Sequence, residues 1–229
     1  MAEFIFPDCN RYFKKDLEKL RHKFSGVENI ENNYSQAFQD MFVLSILDGK
    51  KNGNYVEIGG DHAVIISNTY LLETEFNWQG VSFEIDQSKV DGYNSLRTNK
   101  CVCADATTFD YKLLFEEKNF PKQIDYLQVD IEPAWQTLNA LKALPLDEYR
   151  FSVITYETDV YKDGPDSGEE AMEILLSKGY ELVVRNVANQ NNPYEDWYVD
   201  PTVVDPEIVK KFIQKSRLPK ESTECIFAN

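Results

Sequence analysis

Asn54-Tyr55-Val56-Glu57-Ile58-Gly59-Gly60-Asp61-His62-Ala63 reads as a short buried strand that runs into a tight glycine turn. Paired glycines let backbone approach a ligand closely, as in nucleotide-binding turns. The dinucleotide fingerprint GxGxxG is not met, because Asp61 and Ala63 stand where that spacing wants glycine. Glu57 and Asp61 beside the turn would repel a pyrophosphate. They would instead attract a ligand that carries a sulfonium and an ammonium and no phosphate. S-adenosylmethionine is such a cofactor, and the expectation is that Glu57, Gly59, Gly60 and Asp61 contribute to its site.

Working outward, segments of strand composition recur at Gly80–Ile85, Lys100–Cys103, Ile124–Val129, Phe151–Tyr156, Tyr180–Val187 and Glu195–Val199. Helix-like stretches separate most of them: Ser67–Phe76, Ser88–Thr98, Tyr111–Lys118, Trp135–Leu144 and Ser167–Lys178, with Ser35–Leu47 before the first strand. This alternation predicts an α/β, Rossmann-like fold with a mostly parallel, doubly wound sheet of seven strands. Ala188–Pro193 is too short for a crossover helix, so the last two strands should form an antiparallel hairpin. Asp205 and Pro206 should cap and open a helix reaching about Lys215.

Residues 1–33 read as a separate amphipathic helix and connector. Phe13, Leu17, Leu20 and Phe24 form its apolar stripe, and Arg11, Lys14, Lys15, Lys19, Arg21 and Lys23 its basic face. A solvated outer face on a packed helix is expected, with docking to a partner protein as the alternative. Residues 34–229 read as one domain.

Charge narrows the partners. Lys plus Arg is 24 and Asp plus Glu is 39, a net charge of −15, which opposes nucleic-acid binding. The longest apolar runs, such as Ala63-Val64-Ile65-Ile66, are far too short to span a membrane. The first residues lack the basic and long apolar segments of a signal peptide, so a cytoplasmic location is expected. The four cysteines, Cys9, Cys101, Cys103 and Cys225, lack metal-site spacing and are expected as reduced thiols.

Glu57, Glu84, Asp105, Asp130 and Glu157 each fall at or just past a strand end, at separations of 27, 21, 25 and 27 residues. In an open α/β sheet, ligands bind beyond the carboxyl ends of the strands, so five carboxylates should share one crevice. Glu84 would accept from the ribose hydroxyls, and Asp105 would face the adenine amino group.

Six ordered stretches carry a family resemblance: Tyr34–Asp40, Val56–Asp61, Ser67–Glu73, Trp78–Glu84, Asp125–Pro133 and Glu195–Trp197. With them the chain resembles the FkbM-like family of S-adenosylmethionine-dependent methyltransferases over about residues 34–201. The resemblance implies a class I methyltransferase fold and O-methylation of sugars or related hydroxyls, with a glycan, glycolipid or deoxysugar as acceptor. It implies Gln36, Asn68, Ile85, Ala106 and Asp130 as further cofactor contacts. The chain departs from the family at His62, Ala63, Pro133-Ala134-Trp135 and Thr158, the last where close relatives carry a histidine.

A sugar hydroxyl is a weak acid and needs a base or a metal. His62 is one candidate base. The other device is magnesium or calcium on Asp130, Glu157 and Asp159, oxygen ligands from adjacent strand ends. Glu132, Trp135 and Tyr161 are the expected substrate contacts. Two competing readings are a nicotinamide-dependent oxidoreductase, disfavoured by the missing fingerprint, and a degenerate cofactor-binding module that docks to a glycan-synthesis partner.

Overall fold

The computed structural model describes residues 14–214 and 218–228. Its centre is a sheet of β1 (Asn54–Ile58), β2 (Gln79–Glu84), β3 (Lys100–Cys103), β4 (Gln123–Val129), β5 (Arg150–Glu157), β6 (Glu181–Asn189), β7 (Asn192–Val199) and β8 (Lys220–Glu221). Strand order is β3-β2-β1-β4-β5-β7-β6-β8, so β1 and β4 lie side by side where the winding reverses. The first five strands pair in parallel, and β7 runs antiparallel between β5 and β6. Among the described residues the sheet has eight strands where seven were expected. The extra one is a two-residue strand that pairs in parallel with β6 and carries no apolar pattern to announce it.

The hairpin turn is tighter than the sequence suggested. β6 and β7 run on to Asn189 and Asn192, leaving Gln190 and Asn191 as a two-residue turn at φ 53° and 64°. Both lie in the left-handed region that a type I′ hairpin requires.

Helices α1 (Gln39–Ile46), α2 (Tyr70–Phe76), α3 (Gln87–Leu96), α4 (Tyr111–Glu117), α5 (Ala134–Ala143), α6 (Val160–Asp163), α7 (Asp166–Ser177), α8 (Pro206–Val209) and α9 (Ser222–Ile226) complete the fold. α8 ends after four residues and not near Lys215, although Asp205 caps it as expected, accepting from the Glu207 amide at 2.8 Å. Strand alternation divides the core between the two faces. Tyr55, Tyr126, Val153 and Trp197 pack with α1 and α2 on one face. Val56, Ile58, Leu127 and Ile154 pack with α4, α5 and α7 on the other.

The amphipathic helix expected before residue 33 takes another form. Lys14–Lys19 is a 3-10 helix, and Leu20 then forms an antiparallel bridge with Phe227. Leu20, Phe24, Val27 and Ile30 are buried in the same apolar cluster as Phe38 and Phe42. The basic face is partly consumed: Arg21 donates to the Glu224 and Lys211 carbonyls, and Lys23 pairs with Glu18 at 2.5 Å. His22 is largely covered and sits 2.9 Å from Asp48. Arg11 and Phe13 lie outside the described residues, as does Cys9; the other three cysteines are free thiols.

Candidate functional site

The glycine turn is shaped by its neighbours in the sheet. The amides of Gly59 and Gly60 both donate to the Phe83 carbonyl at 2.9 Å, and the Asp130 amide donates to the Ile58 carbonyl. Gly59 has φ 89°, and a Cβ there would lie 1.7 Å from the Asp130 carbonyl oxygen. Glycine is therefore required at this point because the β4 terminus passes so close.

Glu57 does not join a rim of carboxylates. As the penultimate residue of β1 its side chain stands perpendicular to the sheet, on the α2–α3 face with Tyr55. It is 2% exposed and accepts from Ser82 Oγ at 2.5 Å, Thr69 Oγ1 at 3.0 Å and Tyr93 Oη at 3.1 Å. Burial raises its pKa, and the nearby Arg97 guanidinium opposes that shift. Buried Arg97 bonds Glu73 at 2.7 Å, the Ala63 carbonyl at 2.8 Å, Thr69 Oγ1 at 3.1 Å and Tyr55 Oη at 3.3 Å. Arg97 thus ties the residues after the glycine turn to α2. Sequence reading missed it, because nothing local distinguishes Arg97 from an exposed basic residue at the end of a helix.

A cleft of about 130 Å³ opens past the ends of β2, β3 and β4, lined by Phe83, Glu84, Ile85, Asp105, Ala106 and Ile131 among others. Four of the expected cofactor residues, Glu84, Ile85, Asp105 and Ala106, converge there. The Glu84 carboxylate accepts from the Ile85 and Asp86 amides at 2.8 and 2.9 Å and from the Asp61 amide at 3.2 Å. Asp105 accepts from the Thr107 amide and hydroxyl, which holds its carboxyl below the ordinary range. Ile85 is 71% exposed, an aliphatic side chain at the cleft with no core to fill.

The remaining expected cofactor residues are not part of the cleft lining. The Asp61 carboxylate pairs with Lys89 of α3. Gln36 and Asn68 sit in the segments leading into α1 and α2, outside the cleft lining, and Asn68 Oδ1 is buried with no partner. His62 Nδ1 accepts the Val64 and Ile65 amides at 3.1 and 3.0 Å. With Nδ1 accepting, the neutral ring carries its proton on Nε2 and presents a donor there. The two loop amides thus occupy the Nδ1 lone pair that a base would use.

Beside the cleft, β4, β5 and β7 bring acidic groups together. Asp130 follows Val129, which pairs with Tyr156, so Asp130 and Glu157 are neighbours across parallel strands. Glu157 stands directly opposite Glu195 on antiparallel β7. Glu195 accepts from Trp197 Nε1 at 2.6 Å. Burial and the Asp130 carboxylate push the Glu157 pKa strongly upward, and Glu157 Oε2 is buried without a partner. Burial raises Asp130 as well, and lifts Glu195 to about 8. Like charges in such contact cannot all ionise, so the group retains proton at neutral pH.

Asp159, in the left-handed region at φ 45°, turns toward Lys162 Nζ at 3.5 Å, and Lys162 also bonds Glu132 at 2.6 Å. Among the described residues, no three His, Cys, Asp or Glu side chains are arranged to hold a metal. The expected magnesium or calcium site on Asp130, Glu157 and Asp159 is not formed, because Asp159 is drawn to a lysine while the other two face each other. Trp135 and Tyr161, the expected substrate contacts with Glu132, are 54% and 52% exposed. No helix among the described residues is long and apolar enough to cross a membrane.

No protein-family model matches the chain, and no curated protein matches its sequence. In fold it is similar to an O-methyltransferase from Bacillus cereus solved with SAH, at 14% identity, 72% of this chain over 80% of that one, and TM-score 0.50. It is also similar to a protein assigned as an rRNA methylase from Clostridium thermocellum, at 12% identity, 73% of this chain over 96% of that one, and TM-score 0.50. These likenesses establish the Rossmann-like methyltransferase fold. They do not establish membership in the FkbM-like family.

Proposed function

We propose that the chain is an S-adenosylmethionine-dependent O-methyltransferase whose acceptor is a sugar hydroxyl. One observation carries the reading: Glu84 and Asp105, two carboxylates past successive strand ends, flank a small cleft lined by Phe83, Ile85, Ala106 and Ile131. A nucleoside needs that combination, apolar walls for the base and acceptors for ribose hydroxyls and an exocyclic amine. The FkbM-like sequence resemblance supports the same reading, and the surrounding negative charge suits a sulfonium.

The cofactor would supply a methyl carbon already activated by its sulfonium. The chain's own part is to align the acceptor, exclude water and take one proton. Asp130, half-buried at the end of β4 and next in the chain to the cleft residue Ile131, would receive the acceptor hydroxyl proton. The proton that the Asp130 and Glu157 pair retains keeps one carboxyl neutral and leaves the other available as the anion. Trp135 and Tyr161 offer exposed aromatic faces to the apolar side of a sugar ring.

Because the same fold serves an O-methyltransferase and a protein assigned to rRNA, the choice of acceptor rests on these residues and on the charge of −15. Calorimetry tests the cofactor: S-adenosylhomocysteine should bind and NADH should not. Mass spectrometry tests the acceptor through a methyl mass gain on a glycan pool, with an RNA pool as control. Binding of NADH alone, or methylation of the RNA pool alone, would overturn the proposal.

A further inference from the structure

We infer that the acceptor is a polyol bearing a free amino group, an amino sugar or aminocyclitol, whose ammonium seats against Glu157 while a neighbouring hydroxyl is methylated. The inference rests on the methyltransferase reading and narrows its substrate class. Two independent observations carry it. The first is an excess of acidic groups: Asp130, Glu132, Glu157, Asp159 and Glu195 gather at the ends of β4, β5 and β7, and among the described residues the cation that pairs with any of them is Lys162. The second is an unfilled valence. Glu157 is 9% exposed, yet its Oε2 has no hydrogen-bond partner, although buried carboxyl oxygens are nearly always paired.

A neutral sugar could satisfy one such oxygen but would leave Asp130, Glu157 and Glu195 too crowded to ionise together. An ammonium satisfies the oxygen and offsets the repulsion at once. Lys162 bonds Glu132 and approaches Asp159 from the exposed side, but it gives no hydrogen bond to Glu157. The exposed faces of Trp135 and Tyr161 are also suited to a cation. An ammonium held among carboxylates keeps its proton and has no lone pair to accept a methyl group. Transfer therefore goes to oxygen: the hydroxyl loses its proton to Asp130, and the amine serves only as an anchor.

Binding should also expel a proton. The carboxyl group retains proton when empty, because burial and mutual repulsion disfavour its full ionisation. An arriving ammonium stabilises the anion, so close to one proton per acceptor should leave for solvent.

The test uses full-length protein saturated with S-adenosylhomocysteine and titrated with glucosamine, N-acetylglucosamine or glucose in buffers of different ionisation enthalpy. Glucosamine should bind about tenfold or more tighter than the other two, with buffer-dependent heat reporting proton release. The Glu157→Gln variant should bind S-adenosylhomocysteine as the parent does, which shows it folded, and lose both the preference and the proton release. Equal binding of the three sugars, or an unchanged preference in Glu157→Gln, would overturn the amine assignment while leaving the methyltransferase reading standing. Failure of the parent protein to bind S-adenosylhomocysteine would overturn both. Fragmentation of the product locates the methyl group, and a methyl on nitrogen would refute the anchoring role.

Discussion

Two buried polar clusters flank β1 and β4, and they are built on opposite principles. Under the glycine turn, Glu57 and Glu73 meet Arg97, Thr69, Ser82 and Tyr93, so a buried cation sits among the carboxylates and nearly every donor has its acceptor. At the end of β5, Glu157 meets Glu195 and Asp130, charge is unbalanced, and one oxygen is unpaired. A satisfied buried cluster fixes a shape. An unsatisfied one stores a preference for something not yet bound, and that contrast separates scaffold from site on this sheet.

The comparison breaks first if the scaffold cluster proves dispensable. Arg97→Met removes the cation that faces Glu57 and Glu73, and leaves the Ala63 carbonyl and Thr69 without it. The expected loss is about 3–5 kcal/mol of unfolding free energy, as for a broken buried ion pair. That is a large share of an ordinary domain's stability. Urea denaturation measures it, and a loss under about 1 kcal/mol would mean that the cluster is not the anchor described.

The acidic cluster should answer with the opposite sign. Glu195 has its pKa raised to about 8, from an ordinary 4.5, mainly by burial. It therefore binds its proton more tightly in the folded chain than in the unfolded one. The stability it contributes is complete below about pH 4.5 and is lost as pH climbs through 8. Glu195→Gln should flatten that decline and raise stability at pH 8 by roughly 1–3 kcal/mol, since a neutral group replaces a buried, repelled anion. Thermal melts of both proteins between pH 5 and about 8.5 check the slope. A parent protein that gains stability over this range would contradict the proton-retaining cluster.

Most of the sheet was legible because strand composition and turn residues report local backbone preference. β1 and β3 fall where their apolar runs predict, and the hairpin was implied by a connection too short for a helix. The N-terminal segment was misread because Leu20 and Phe24 have helical spacing yet are buried in a cluster with distant residues such as Phe38 and Phe42. Periodicity cannot see such contacts. Glu57 was misplaced for a related reason. Its position near a strand end was visible, but the perpendicular direction of a side chain still inside the strand outweighs that proximity. Glu84, Asp105 and Asp130 end or follow their strands, so for them position was enough. The pairing of Glu157 with Glu195 depends on a register between strands 38 residues apart, which no local pattern encodes.

A smaller effect sharpens the boundary between the cofactor cleft and its support. Glu84→Gln keeps one oxygen for the Ile85 and Asp86 amides but removes the charge and one acceptor at the cleft. Affinity for S-adenosylhomocysteine should fall about tenfold, near 1.4 kcal/mol, with the melting temperature little changed. Calorimetry of the two proteins decides it. Unchanged affinity would remove Glu84 from the cleft's working residues.

The smallest expected effect concerns His62, an exposed residue just after the glycine turn and the one most easily assigned to the wrong cluster. Its Nδ1 accepts two amides within its own loop, Val64 and Ile65, which is turn-forming work that an asparagine side-chain oxygen also performs. If His62 belongs to the scaffold, His62→Asn should keep turnover within about twofold, whereas His62→Ala should weaken the loop by about 0.5–1 kcal/mol and act on cofactor binding more than on turnover. If instead the ring served as the general base, both variants would lose about a hundredfold or more in turnover, because neither can take up a proton at neutral pH. Asp130→Asn supplies the matching control, with the large loss expected there. A hundredfold loss in His62→Asn alongside a mild Asp130→Asn would move the proton acceptor from the end of β4 to the glycine turn. It would also reverse the assignment of scaffold and site on which the contrast between the two clusters rests.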